Sequence, residues 1–258
     1  NWLKDYERYL LAEGKTYTTV GMHMRAIRAI INIAKKNNAI KEHNYPFGIG
    51  KYEIPSGKGR KLALSLDQIK KVMEYSNGNP RTEYYRDLWT FSYLCNGINF
   101  VDLIQLKFSN MHGGELEWLR QKTKRTSKEK SSITAYIPPE AQAIIDRWGN
   151  PPRSENYIFP VLKGGESQKE IYEKARDLIS ATNRSLKKMS EHLGIEKIST
   201  YTARHSYATV LKRSGANIAF ISESLGHSDL KTTESYLASF EKEERMKAAK
   251  HLTNFSSD

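Results

Sequence analysis

Thr202-Ala-Arg-His-Ser-Tyr-Ala-Thr209 and Leu225-Gly-His-Ser-Asp-Leu-Lys-Thr-Thr-Glu-Ser-Tyr-Leu237 are the two segments from which the fold of this chain can be inferred. Between them they supply Arg204, His227 and Tyr236, that is, a guanidinium, an imidazole and a phenol within one short stretch. Groups of these three kinds can bind a phosphodiester, protonate it and attack it. A single histidine or tyrosine is usually a packing or surface residue, so the ordered set of three is what indicates an active site.

The local pattern around His227 is compatible with one shared pocket. Gly226 is a helix stop signal after an apolar helical segment, and a new short helix is predicted to begin near Lys231. That helix would carry Tyr236, which follows His227 by nine positions (236 minus 227). A helix end followed by a turn of helix can place both side chains in one pocket.

These segments resemble the tyrosine recombinase (phage integrase) family, whose signature is Arg-His-x-x-Ala-Thr, then Leu-Gly-His, then a nucleophilic tyrosine. The resemblance extends over essentially the whole chain. It implies that Tyr236 is the nucleophile, that Arg204 clamps the phosphate and that His227 is a second stabiliser of the transition-state phosphate. It also implies that Lys122 is the general acid that the family places in a β-hairpin. Attack by the phenol would conserve the bond energy as a 3′-phosphotyrosine, so no cofactor and no metal are expected.

The sequence departs from the family pattern at the position of the first catalytic arginine. The family places this arginine in a Gly-x-Arg segment, where this chain has Gly97-Ile-Asn99. Alternation along a predicted strand puts Trp118, Arg120 and Lys122 on one face. Some conjugative-transposon integrases resemble this chain in lacking the first arginine while carrying Arg-x-Lys on that hairpin. We therefore expect Arg120 to supply the missing guanidinium; the alternative is that it contacts flanking DNA backbone or solvent.

A second departure lies three residues before Arg204, where the family usually has histidine and this chain has Tyr201. The i, i+3 spacing should turn Tyr201 toward the same pocket, where its hydroxyl could contact a phosphate oxygen. A phenol is a weak proton acceptor, and His205 could either compensate or act as a buttress. Which group deprotonates Tyr236 is therefore left open. Asp102 matches a family carboxylate that orients catalytic groups, with a purely structural role as the alternative.

Composition agrees with a nucleic-acid substrate. The chain has 258 residues, with 41 Lys and Arg against 29 Asp and Glu, a formal net charge of +12. Such a charge favours contacts with phosphates, although RNA and acidic membranes also attract basic proteins. The sequence shows no membrane-spanning apolar run and no signal segment, so we expect a cytoplasmic bacterial protein, nucleoid-associated when acting. The single cysteine, Cys95, excludes an internal disulfide and lies in an apolar run that predicts burial.

The pattern of apolar and basic residues predicts a mainly α protein with a small antiparallel β-sheet. We expect a helical, core-type DNA-binding (SAM-like) domain over residues 1–50, a basic linker over 51–62, and a catalytic domain with a C-terminal helical tail over 63–258. The predicted strand pair is 115–122 with 131–137, and Ser65 with Gln68 fits a capping box. The candidate DNA-binding residues of the first two parts are Arg25, Arg28, Lys35, Lys36, Lys58, Arg60 and Lys61.

The function implied by the resemblance is site-specific recombination of double-stranded DNA. A homotetramer would act on two duplexes through a Holliday junction, integrating or excising a mobile element such as a conjugative transposon. Before synapsis the protein would be a monomer or dimer, with accessory DNA-bending proteins as candidate partners. The tail after Tyr236 could pack in the same chain or on a neighbour, and an N-terminal arm-binding domain could precede Asn1. The alternatives are a type IB topoisomerase and a catalytically impaired, recombinase-derived DNA-binding protein.

Overall fold

The computed structural model describes residues 1–57, 63–120 and 132–227, together with Leu230 and Thr233. The chain divides into two compact units, Asn1–Arg60 and Lys61–Asp258. The described residues are mainly helical and contain one small antiparallel sheet, which confirms the predicted fold class. No helix among them is long and apolar enough to cross a membrane.

The N-terminal unit is built on two helices, α1 (Trp2–Ala12) and α2 (Tyr17–Lys36), followed by a 3₁₀ turn at Glu42–Asn44. The Thr16 hydroxyl accepts a hydrogen bond from Thr19 N at 3.3 Å and so caps the start of α2. On α1, Leu3 and Leu10 are buried, whereas Trp2 is 64% exposed. The core of this unit consists of Leu3, Leu10, Val20, Met24, Phe47 and Tyr52.

The second unit contains the remaining helices and the sheet. Its helices are α3 (Leu66–Glu74), α4 (Pro80–Leu94), α5 (Phe100–Leu103), α6 (Pro139–Trp148), α7 (Gln168–Leu193), α8 (Thr200–Arg213) and α9 (Ile218–Ser224). The capping box predicted at the start of α3 is confirmed, since Ser65 Oγ accepts from Gln68 N and Gln68 Oε1 accepts from Ser65 N.

Helix α4 passes through the middle of this unit and packs against α3, α6, α7 and α8. Its residues Leu88, Trp89 and Phe91 are fully buried, so the helix is apolar on several sides rather than along one stripe. The indole Nε1 of Trp89 donates to Ser199 O at 3.0 Å and to Thr202 Oγ1 at 3.1 Å. These bonds fix the start of α8, the helix that carries Arg204.

The sheet has three strands, β1 (Met111–His112), β2 (Glu115–Trp118) and β3 (Ile133–Tyr136), in the order β1-β2-β3. The predicted strand pair is present as β2 and β3, with Trp118 opposite Ile133. Strand β1 was not predicted, because a strand of two residues cannot show an alternating pattern. Arg120 lies just beyond the end of β2, and residues 121–131, which join β2 to β3, lie outside the described residues.

Candidate active site

Arg204 lies on the inner side of α8 and is 3% exposed. Its Nη1 donates to Gly97 O at 3.1 Å, and its Nη2 donates to Leu225 O. A buried guanidinium remains charged, so it needs acceptors that hold it in place. The two backbone carbonyls come from the turn after α4 and from the end of α9, and they fix the direction of the side chain.

Gly97 permits this arrangement because it has no side chain. Its φ is +61°, and a Cβ built on it would lie 2.6 Å from Arg204 Cα and 2.9 Å from Arg204 Cβ. Both features exclude larger residues, since the left-handed region disfavours them and the backbone of α8 occupies the space. Gly97 therefore sets how closely the turn approaches α8.

His227 lies directly after Gly226 and contacts Arg204. Its Nε2 is 3.1 Å from Arg204 Nη2, and its Nδ1 is 2.9 Å from Thr233 Oγ1. Its backbone N–H donates to Ser222 O at 2.9 Å, which ties it to α9. These contacts hold both ring nitrogens and orient the imidazole beside the buried guanidinium.

Arg120 approaches the same place from the sheet. It is half-buried, and its Nη1 donates to Gly226 O at 3.2 Å. A Cβ built on Gly226, whose φ is +63°, would meet Ile133 Cδ1 at 2.3 Å and Arg120 Cδ at 3.7 Å. Arg120 Nε is buried and meets no hydrogen-bond acceptor among the residues that the structure describes.

Arg204 and Arg120 line one open cleft of about 480 Å³ between α5, α7 and α8. Two guanidinium groups at one cleft create a site suited to a phosphate group, because each offers a planar set of N–H donors. The other lining residues are Gly97, Ile98, Asn99, Phe100, Val101, Asp102, Tyr172, Ile179, Thr200 and Tyr201.

Several weaker sequence candidates reach this cleft too. Tyr201 is 42% exposed and lines the cleft together with Arg204, as their i, i+3 spacing predicts. His205 is buried and packs edge-on against the Tyr201 ring, with centroids 4.7 Å apart. Asn99 is the N-cap residue of α5, and Asp102 in the first turn of that helix is 5% exposed. Asn99 and Asp102 both line the cleft.

The structure leaves other predicted site residues undescribed. Tyr236, Lys122, Lys58, Arg60 and Lys61 lie outside the described residues, so their predicted roles stay predictions. On α2, Arg25, Arg28 and Lys36 are exposed, whereas Lys35 is half-buried. The Lys35 ammonium lies 2.7 Å from a Glu42 carboxylate oxygen and 4.8 Å from the centre of the Tyr45 ring.

Tyr207 and Asn96 lie beside the cleft, although the sequence did not mark them as candidate site residues. Tyr207 Oη donates to Asn96 Oδ1 at 2.9 Å, and Asn96 Nδ2 donates to Thr134 O at 2.8 Å. Burial raises the pKa of the Tyr207 phenol above its ordinary value, so the group stays a neutral donor. The only local signal is the Asn-Gly pair at positions 96–97, which is typical of a turn.

The remaining reactive groups do not form a second centre in the part of the chain that the structure describes. Burial raises the pKa of the Cys95 thiol to about 12, which keeps it protonated and unreactive at neutral pH. Among the described residues, no group of three or more His, Cys, Asp or Glu side chains could hold a metal ion.

The fold and the cleft thus define a mainly helical protein that brings two guanidinium groups to one cleft, with a histidine in contact with one of them. Family models agree with this class. Residues 63–243 match the phage integrase family, and residues 1–54 match the phage integrase SAM-like domain. The chain therefore belongs to the phage integrase family and is a tyrosine-type site-specific recombinase.

Relatives by sequence carry the same description. The tyrosine recombinase XerD of Listeria monocytogenes serotype 4b is 23% identical over 232 residues, which cover 87% of this chain and 72% of that protein. XerD of Rickettsia prowazekii is 26% identical over 272 residues, covering 91% of this chain and 83% of its own length.

Solved structures show the same fold at low sequence identity. The Tn1549 transposon integrase in complex with circular intermediate DNA matches with a TM-score of 0.65 and 15% identity, covering 95% of this chain and 83% of that chain. A lambda integrase dimer bound to a COC′ core site matches with a TM-score of 0.59 and 14% identity, covering 91% and 77%.

Proposed function

We propose that this recombinase cuts and rejoins double-stranded DNA through a covalent 3′-phosphotyrosine and a Holliday junction, and so integrates or excises a mobile element. The observation that carries the proposal is that Arg204 and Arg120 line one cleft and that His227 contacts the Arg204 guanidinium. Cationic donors held in place before reaction stabilise the extra negative charge of a pentavalent phosphate without further reorganisation. A mobile-element role is supported by the structural similarity to the Tn1549 integrase, which is the integrase of a transposon.

The proposed cleavage step uses Tyr236 as the nucleophile. Its Oη forms a bond to the scissile phosphorus while the bond from phosphorus to the 5′-oxygen breaks. The phenol proton passes to a base in the site, and Lys122 gives a proton to the departing 5′-oxygen. Religation reverses these transfers when the 5′-hydroxyl of a second strand attacks the phosphotyrosine, so the step needs no external energy source and no cofactor.

In this proposal the oxygens of the scissile phosphate are bound by the cationic side chains of the cleft. Arg204 binds them through its fixed guanidinium. His227 stabilises the bound phosphate by orienting that guanidinium, because an arginine only donates and His227 Nε2 therefore accepts from it. Arg120 takes the place of the family's first arginine, because Asn99 at that position carries no charge. Two observations support this assignment of Arg120. The residue is half-buried at the cleft, and it donates a hydrogen bond to Gly226 O, next to His227.

The other residues at the cleft have supporting roles in this proposal. Tyr201 lies on the Arg204 side, where its hydroxyl can donate to a phosphate oxygen. His205 supports the Tyr201 ring from the next turn of α8. Asp102 orients the cationic groups from the first turn of α5, and Asn99 begins that turn.

The two units suggest how the protein engages the duplex. The exposed residues Arg25, Arg28 and Lys36 on α2 present positive charge that suits the DNA backbone, and the basic linker would add Lys58, Arg60 and Lys61. We expect Lys35 to contribute less, since it already pairs with Glu42. Four protomers on two duplexes, assisted by DNA-bending proteins, would carry out the exchange on the bacterial nucleoid.

The decisive experiment traps the covalent intermediate. A nicked suicide substrate bearing the element's candidate site loses a short 5′-hydroxyl fragment on cleavage, so religation cannot occur. We expect a protein–DNA adduct with the wild type, without added metal, and none with Tyr236→Phe. DNA bound without any adduct would contradict the proposal and favour a recombinase-derived DNA-binding protein.

A second set of variants tests Arg120. Replacing it with alanine should lower the rate of adduct formation by about 10²- to 10³-fold, the usual effect of losing one transition-state donor. Arg120→Lys should recover part of that loss, because it keeps the charge without the planar donor set. Arg153→Ala removes a charge from an exposed arginine of the second unit that does not line the cleft, and serves as the matched control. Unchanged cleavage by Arg120→Ala with retained DNA affinity would rule out the assigned role.

A further inference from the structure

The two cleft arginines are carried by elements that are far apart in sequence. One side chain hydrogen-bonds both to the helix that carries Arg204 and to the strand that pairs with β2. Arg204 lies on α8, and Arg120 lies two residues after Trp118 at the end of β2. Strand β2 pairs with β3, where Trp118 is opposite Ile133. Any group that links α8 to β3 therefore influences the separation of the two guanidinium groups.

Asn96 makes that link with both ends of its side-chain amide. Its Nδ2 donates to Thr134 O on β3 at 2.8 Å, and its Oδ1 accepts from Tyr207 Oη on α8 at 2.9 Å. Tyr207 lies one turn after Arg204, and Thr134 follows Ile133. Both polar ends of the amide are thus used, one toward each element.

The backbone of Asn96 adds a third connection. Asn96 has a φ of +54° and is followed by Gly97 in the same left-handed region, so the pair forms a tight turn. This turn directs Gly97 O at the Arg204 guanidinium. Asn96 is 9% exposed, so water competes little with its hydrogen bonds and the linkage is well defined.

We propose that Asn96, together with Tyr207, is a positioning residue that sets the spacing of the Arg204 and Arg120 guanidinium groups and hence the strength of phosphate binding in the transition state. The inference rests on the proposed function of the cleft. Asn96 does not touch the DNA in this scheme. It acts through the two elements that it joins, and its loss would separate them without removing a charge.

The test compares two substrates for each variant. One suicide substrate has an ordinary phosphodiester at the scissile position, and the other has a methylphosphonate there. The methyl group removes one negative charge, so a transition state with less charge depends less on well-placed guanidinium groups. The ratio of the two adduct-formation rates reports phosphate clamping, whereas general loss of folded protein lowers both rates equally.

Three variants remove one or both hydrogen bonds of the Asn96 side chain without disturbing the left-handed turn. Asn96→Gly tolerates the positive φ and removes both side-chain bonds, Asn96→Asp keeps only the acceptor, and Tyr207→Phe removes only the donor. We expect Asn96→Gly to slow phosphodiester cleavage by about 10- to 100-fold, as for a reactive group misplaced by a fraction of an ångström. We expect a smaller loss on the methylphosphonate, and intermediate effects from the two single-bond variants.

A matched control separates positioning from ordinary destabilisation. Asn150 is half-buried and, like Asn96, donates through Nδ2 to a backbone carbonyl, in this case Tyr157 O at 2.9 Å, but it does not line the cleft. Asn150→Ala should leave the ratio of rates unchanged. An equal loss on both substrates for Asn96→Gly would overturn the proposal and make Asn96 structural only. Arg204→Ala must itself change the ratio; if it does not, the proposed phosphate clamp fails rather than the role of Asn96.

Discussion

Replacing Gly97 with alanine tests the close approach on which the geometry of the cleft depends. The built Cβ lies 2.6 Å from Arg204 Cα, whereas ordinary contact begins at 3.4 Å, so the turn and α8 must separate by roughly 0.8 Å (3.4 minus 2.6). The positive φ adds about 1–2 kcal/mol for any residue with a Cβ, and overpacking adds about 1–3 kcal/mol. We expect Gly97→Ala to lower the free energy of unfolding by about 2–5 kcal/mol.

The same displacement should reduce activity by more than the loss of folded protein explains. Gly97 O accepts from Arg204 Nη1 at 3.1 Å, so moving the turn moves the guanidinium or breaks this bond. A misplacement of this size in an active site costs about 10²-fold in rate. Adduct formation on the suicide substrate, measured at a temperature where the variant is folded, is the assay.

Gly113→Ala is the matched control for backbone strain. Gly113 has a φ of +58°, close to that of Gly97, but a Cβ built on it meets nothing within 4 Å. We expect it to cost only the strain, about 1–2 kcal/mol, and to leave cleavage unchanged. Urea unfolding of both variants separates the two contributions. Equal stability losses, with normal cleavage by Gly97→Ala, would refute the close approach of the turn to α8.

Three further predictions concern the core that supports the cleft. Asp87→Asn should lower the free energy of unfolding in urea by about 3–5 kcal/mol, because the buried Asp87 carboxylate accepts hydrogen bonds from Arg86, Arg147 and Trp148. The control is Asp177→Asn, which should change this free energy little because Asp177 is exposed. Trp89→Phe should cost about 1–3 kcal/mol in the same assay, since Ser199 O and Thr202 Oγ1 lose their shared donor, and an unchanged midpoint would contradict this. With a pKa of about 12, Cys95 should react with iodoacetamide at pH 8 only as the protein unfolds; alkylation of the native protein at the rate of a free thiol would show that it is not buried.

Features that depend on one turn of chain could be predicted from the sequence. The capping box of Ser65 and Gln68 needs only residues three apart, and the structure contains it. The shared orientation of Tyr201 and Arg204 follows from helical spacing in the same way. The β2–β3 pair was visible as alternation, whereas the two-residue strand β1 was too short to produce a pattern.

The sequence by itself determined which chemical groups are present and in what order, and through them the family of the protein. The tertiary structure decided how those groups are held. Arg204 binds Gly97 O, 107 residues away, and Leu225 O, 21 residues away. Every residue has a backbone carbonyl, so no side-chain pattern marks these two as acceptors. Likewise, nothing near Asn96 in the sequence reveals that its amide joins α8 to β3, because such contacts arise only when distant segments pack together.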